Sequence, residues 1–130
     1  MLKNIDNAKL PITIGGKKWY LRYNLNAQLC IEYSLNMSFD DIINKKDWSL
    51  EETLEFLRAL LIDNFYQQNK KFINQRKFYL CKPTLAEIGG MLSEEDLTEI
   101  SLKILQAVSM ALPDTVETSG NFRKAVQKMK

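Results

Sequence analysis

Histidine is absent from all 130 residues, and no other feature of the sequence excludes as much chemistry. Without imidazole there is no Ser-His-Asp or Cys-His nucleophile pair, no HExxH zinc site and no imidazole acid–base step. Catalysis would have to come from paired carboxylates, a lysine or a bound cofactor. Cysteine is scarce too: Cys30 and Cys81 are far apart and form no CxxC pair. Cys30 lies in an apolar-periodic run, so it reads as a buried thiol in a reducing compartment. No apolar run approaches the roughly 18 residues of a membrane span, and MLKNIDNAKL lacks a signal-peptide apolar region. The expected location is therefore cytoplasmic. Excess charge is also missing: 18 basic against 16 acidic residues leave a net +2, too little to indicate nucleic-acid binding by itself.

What is present describes one domain. A chain of this length hides about two-thirds of its unfolded surface on folding, which suffices for a core without staples. Leu10, Ile12 and Ile14 alternate with polar or small neighbours, Gly15-Gly16 interrupts, and Trp19, Leu21 and Tyr23 alternate again. Two period-2 runs about a glycine pair predict a β-hairpin, with Pro11 restricting its strand to an edge. From Asn24 the period lengthens. Leu25, Leu29 and Tyr33 fall on one helical stripe beside Cys30, with Asn24 or Asn26 available as a cap.

Four further helix starts carry a hydroxyl with an acidic residue three positions on: Ser38/Asp41, Ser49/Glu52, Thr84/Glu87 and Ser93/Asp96. The second opens a helix from Ser49 to Phe65, whose stripe is Leu50, Leu54, Leu57, Leu61 and Phe65, thickened by Phe56 and Leu60. The third opens a short helix closed by Gly89-Gly90. The last places Leu97, Ile100, Ile104 and Val108 on one face and stops before Pro113. Tyr66–Ala86 contains no acidic residue and has no clear period. The expected architecture is α+β, mainly α: a hairpin (10–23) on a bundle of about four to five helices within 25–112. Together these form a single domain, 1–113, followed by a flexible basic tail, 114–130.

The acidic pairs Asp40-Asp41, Glu51-Glu52 and Glu94-Glu95-Asp96 all fall in first helical turns. There a carboxylate meets the positive end of the helix dipole and needs no catalytic role. Neither glycine pair sits in a phosphate-loop frame, and no Asp/Asn run has calcium-loop spacing. No cofactor is implied. Lys70, Lys71, Arg76, Lys77 and Lys82 alternate with Phe72, Phe78 and Tyr79, a pattern that suits phosphate contact plus base stacking. With so small a net charge, a solvated face with core-directed aromatics is the preferred reading of that segment. In the tail, Phe122 and Val126 are four apart among cations. The residues alone describe a small soluble α+β interaction domain.

The succession of elements resembles the tail assembly chaperones of long-tailed bacteriophages and prophages of Gram-positive bacteria. The likeness rests on Leu21-Arg22-Tyr23-Asn24-Leu25-Asn26-Ala27 after a short strand pair, and on Glu32 in the next helix. It continues through the amphipathic helix from Ser49 to Phe65 and the helix start Pro83-Thr84-Leu85-Ala86-Glu87-Ile88-Gly89, covering roughly residues 10–112. Asn24 replaces the more usual aspartate, Asn36 stands where many members have glycine, and Tyr66–Lys82 is longer than the usual link. The resemblance implies a non-enzymatic helper in the host cytoplasm, absent from the mature virion. It would bind the tape-measure protein, keep its apolar helices soluble and help recruit tail-tube subunits, with a frameshifted longer product in many relatives; multivalent contact with a long client makes modest affinity per copy and self-association further expectations. Phe122, Arg123, Lys124 and Lys128 in the tail, with Lys70, Lys71, Arg76 and Lys77, are the candidate partner contacts. The alternatives are a structural virion component such as a head–tail connector and, ranked lower, a nucleic-acid-binding accessory protein using Lys70–Lys82. Neither a membrane nor nucleic acid is an expected partner.

Overall fold

A computed structural model describes residues 9–111. It opens with the hairpin: β1 (Lys9–Ile14) pairs antiparallel with β2 (Lys17–Arg22), Ile14 opposite Lys17 and Leu10 opposite Leu21. Gly15 and Gly16 both take positive φ (58° and 78°), the pair of left-handed conformations that a two-residue turn matched to strand twist requires. Ile12, Ile14 and Leu21 are buried with Tyr23, while Pro11 and Thr13 face outward.

The register explains how Pro11 is tolerated. Ile14 and Lys17 flank the turn as a hydrogen-bonded pair, so the alternation of an antiparallel ladder leaves Pro11 and Tyr20 as a non-bonded pair. The backbone groups of Tyr20 therefore point away from β1. There the Asn64 side chain meets both: Tyr20 N–H donates to Asn64 Oδ1 (3.2 Å), and Asn64 Nδ2 donates to Tyr20 C=O (2.8 Å). One amide side chain thus replaces a third strand at this edge.

The remaining elements are helical. They are α1 (Leu25–Leu35), α2 (Phe39–Ile43), α3 (Leu50–Leu61), a 3-10 turn (Ile62–Phe65), α4 (Tyr66–Asn74), a second 3-10 turn (Phe78–Leu80), α5 (Leu85–Met91) and α6 (Glu94–Ala111). The fold is α+β and mainly α, as expected. The helices number six among the described residues because the segment without a clear period contains α4.

Local chemistry sets the helix ends. Asn24 caps α1, its Oδ1 accepting from Ala27 N–H at 2.9 Å. Ser49/Glu52 and Thr84/Glu87 form complete reciprocal capping boxes. Glu52 is held below the usual carboxylate range by its bond from Lys45 and by the Ser49 amide, and Glu87 by the Thr84 amide. The acidic pairs are thereby accounted for as helix starts. Glu32, in α1, accepts from Phe39 N–H at 2.7 Å and so ties α1 to the start of α2. At the end of α1, Asn36 sits in the left-handed region (φ 52°, ψ 44°), which asparagine and glycine enter most easily.

Helix α3 is the central element and touches α1, α5, α6 and β2. Phe56, Leu57, Ala59, Leu60, Leu61 and Ile62 are all buried, and Trp48 stacks on Phe56 at 4.9 Å. Each large side chain so buried contributes about 1.5–3 kcal/mol. Burial on all sides is what a helix enclosed by neighbours requires.

Three expectations are corrected. First, α1 buries Ala27, Cys30 and Ile31 rather than its larger stripe; Leu25 is 77% and Tyr33 53% exposed, and Leu29 is half-buried. The small side chains Ala27 and Cys30 let α1 approach α3 closely, which bulkier Leu25 and Tyr33 would prevent. Second, Leu50 is 59% exposed, and the α-helix ends at Leu61 instead of Phe65. The next turn tightens to 3-10 where Asp63 pairs with Arg22 (2.8 Å) and Asn64 engages β2. Third, Gly89-Gly90 lies inside α5 and is not its stop; that helix closes at Leu92 in extended conformation. The segment without a clear period takes a defined form: Tyr66–Asn74 is helical around buried Asn69, whose amide donates to Ile62 C=O (3.0 Å) and Lys82 C=O (2.8 Å) and accepts from Lys82 N–H (2.7 Å).

The strand-edge role of Asn64 has a measurable consequence. Asn64→Ala leaves two backbone groups of Tyr20 without partners and is expected to destabilise the fold by about 1–3 kcal/mol. A urea midpoint unchanged from wild type would show that water serves that edge equally well.

Candidate functional site

The polar centre of the molecule is Arg58, 3% exposed in the middle of α3. Its Nε donates to Pro83 C=O (2.8 Å), its Nη2 to the carbonyls of Phe78 and Cys81 (2.8 Å for the latter), and its Nη1 lies 3.9 Å from Cys30 Sγ. Burying a cation costs several kcal/mol. Three charge-assisted bonds, each about 1.5–3 kcal/mol, offset much of that. The result is that residues 78–83 are strapped across α3. Both cysteines are buried and free beside this guanidinium. Burial pushes the Cys30 thiol up to about 12 despite Arg58, and also raises Cys81. Such thiols are protonated and unreactive at neutral pH.

Beside the strap is an open cleft of about 320 Å³, lined by Tyr33 and Ser34 of α1, Glu55 and Arg58 of α3, Tyr79 of the second 3-10 turn, and Thr84 and Leu85 at the start of α5. Tyr33 leans on buried Phe78, ring centroids 5.9 Å apart. Tyr79 is 60% exposed, and Leu80 next to it is also exposed. The cleft stands at one end of the outward stripe of α1, since Leu25, Leu29 and Tyr33 recur every four residues on one side of the helix. This combination of an exposed apolar stripe and an aromatic-rimmed cleft is suited to receiving another helix.

The cations named from the sequence lie elsewhere. Lys70 and Lys71 are exposed on α4, with Lys71 Nζ 4.9 Å from the Phe72 ring centroid. Arg76 and Lys77 are exposed just beyond the end of α4. None of the four lines the cleft. Of the interleaved aromatics, Phe78 is buried and Phe72 half-buried, whereas Tyr79 is exposed. Arg76 has φ +58°, with Lys77 N–H bonded to Phe72 C=O and Arg76 N–H to Ile73 C=O. That is a helix-closing position which ordinarily favours glycine. Phe122, Arg123, Lys124 and Lys128 lie outside the described residues.

Sequence reasoning missed Arg58 and Glu55, and named Tyr33 and Tyr79 without bringing them to one cleft. A charged residue within Phe56-Leu57-Arg58-Ala59-Leu60-Leu61-Ile62 was an available signal, because such a run is buried and a buried cation requires partners. Among the described residues no cluster of three or more potential metal ligands occurs, and no helix is long and apolar enough to cross a membrane. No family model matches the chain, and neither a curated protein nor a solved structure matches it.

Two outcomes follow from these environments. The raised Cys30 thiol contributes stability that is complete below the unfolded-state value near 9 and is lost as pH rises from there towards about 12. Urea midpoints should therefore fall above pH 9, with a shallower fall in Cys30→Ala; equal slopes would remove Cys30 as the cause. Arg76→Gly relieves the left-handed backbone and should stabilise by about 0.5–1 kcal/mol in thermal or urea unfolding. Any binding lost in that more stable variant would belong to the Arg76 side chain itself.

Proposed function

We propose that this protein is a tail assembly chaperone of a long-tailed bacteriophage or prophage, holding an amphipathic helix of the tape-measure protein against α1. The observation that carries the reading is the exposure of Leu25 and Tyr33 at the two ends of one side of α1, with half-buried Leu29 between them. Leu25 belongs to the Leu21–Ala27 segment on which the resemblance chiefly rests, and it is 77% exposed. A side chain kept apolar and outward has no part in the core and is available to a partner. The rest of the scaffold fits a passive holder. Among the described residues Glu55 is the one carboxylate that lines the cleft, and both thiols are buried.

On this reading the chaperone works in the host cytoplasm, shields successive apolar helices of the client, helps recruit tail-tube subunits and leaves before the particle matures. A long client with repeated helices lets several copies bind at once, so weak contacts of single copies add up. Weak single contacts also permit release.

Co-expression with the tape-measure protein of the same phage or prophage tests the proposal. Wild type should keep the client in the soluble fraction and co-purify with it. Leu25→Asp combined with Tyr33→Ser should fold normally by circular dichroism but retain about tenfold less client, since two exposed apolar contacts are removed. Undiminished capture by that double variant would overturn the α1 surface. Stoichiometric retention of the protein in purified virions would favour a structural role instead. In the same assay, deletion of residues 114–130 reports separately on Phe122, Arg123, Lys124 and Lys128, and Lys70→Glu with Lys71→Glu reports on α4.

A further inference from the structure

The cleft beside α1 has a polar composition that an apolar groove does not need. Glu55 is half-buried in its wall and has neither an ion pair nor a hydrogen bond among the described residues. Its natural partner would be Arg58, three residues further along α3. That guanidinium is committed to Pro83, Phe78, Cys81 and Cys30. The strap thus leaves the Glu55 carboxylate without a hydrogen-bonded partner among the described residues, with Arg58 lining the same cleft, and holds two tyrosine rings there, Tyr33 (53% exposed) backed by Phe78, and Tyr79 (60% exposed) on the strap itself.

We infer that this cleft receives the side chain of a lysine or arginine from the bound partner helix, its cationic head paired with Glu55 and held against the faces of Tyr33 and Tyr79. Aromatic faces attract cations through their quadrupole, and a facing carboxylate adds direct charge complementarity. Leu85 and the ring edges cover the methylene stem, as long cationic side chains prefer. An anion is disfavoured at the same place, because it would face Glu55 and would have to displace backbone carbonyls from Arg58. The volume of about 320 Å³ accepts one such side chain with room for water.

The partner would therefore show apolar residues against Leu25 and Leu29 and a basic residue where it passes Tyr33. This rests on the chaperone reading only for the identity of the partner; the cation site itself is testable without any client. The full chain is titrated with N-acetyl-lysine amide and N-acetyl-arginine amide, with the norleucine and glutamine amides as neutral controls, while the tyrosine ring resonances are followed by NMR. Saturable shifts at Tyr33 and Tyr79 are expected with the two cations at a Kd of about 10 mM, and not with the controls. Glu55→Gln should weaken cation binding about fivefold or more, and Tyr79→Leu should weaken it with the fold intact by circular dichroism.

Equal shifts from norleucine and lysine amides, or cation binding unaltered by Glu55→Gln, overturn the inference. So does the absence of any saturable shift up to about 100 mM, ten times the expected Kd. Failure of the two readings is separable. If the amides bind at Tyr33 and Tyr79 but the tape-measure protein is not captured, the cation site stands and the chaperone reading falls. If capture depends on Leu25 but no cation binds, the chaperone reading stands and this site falls.

Discussion

The guanidinium of Arg58 organises the half of the molecule in which the candidate surface lies. Its cost of burial is several kcal/mol, and a fold that keeps it must place acceptors around it. The acceptors are carbonyls of residues 78, 81 and 83, so the chain between α4 and α5 is drawn over α3. That path buries Phe78, puts Tyr79 outside and seats Thr84 to begin α5. Because the donors go to carbonyls, the Glu55 carboxylate in the cleft wall receives no hydrogen bond from Arg58. One buried cation therefore determines the strap, the aromatic rim and the electrostatics of the opening.

Two asparagines extend the same economy of polar groups. Asn64 completes the open edge of β2, and Asn69 bonds both backbone groups of Lys82 from within α4. A side-chain amide carries a donor and an acceptor side by side, so it can stand in for a neighbouring backbone. A two-stranded hairpin is marginal by itself. Here it is held by its buried face, by Asn64 and by the Arg22–Asp63 pair. The hairpin and the Leu21–Ala27 junction are consequently fixed relative to α3, and so is the direction in which α1 leaves.

Helix α1 serves two roles through two faces. Ala27, Cys30 and Ile31 face α3, whereas Leu25 and Tyr33 face outward. Ala27 and Cys30 keep the inner face short beside Ile31, and Leu25 and Tyr33 outward supply contact area. For a protein whose proposed task is to hold apolar helices temporarily, a rigid scaffold with one exposed stripe suffices. The small net charge of +2 leaves selectivity to local features such as Glu55 rather than to a long-range field.

Much of the fold is legible in the residues because it is governed by short-range rules. Gly15-Gly16, Asn24, Ser38, Ser49, Thr84 and Ser93 mark the turn and the helix starts, since capping and positive φ depend on only a few neighbouring positions. Periodicity correctly places Ile100, Ile104 and Val108 inside. It fails for α1, where Leu25, Leu29 and Tyr33 are spaced as regularly as a core stripe but Leu25 and Tyr33 are exposed and Leu29 only half-buried. Spacing shows which residues share a face of a helix but not whether that face meets protein or water. The path of residues 78–83 follows from Arg58, 20 to 25 positions away in the chain, and from Asn69, 13 positions before Lys82. Local order was thus written in the chain, whereas the choice of buried face, the strap and the cleft were decided by tertiary contacts, because only packing determines which polar groups lose water and must find one another.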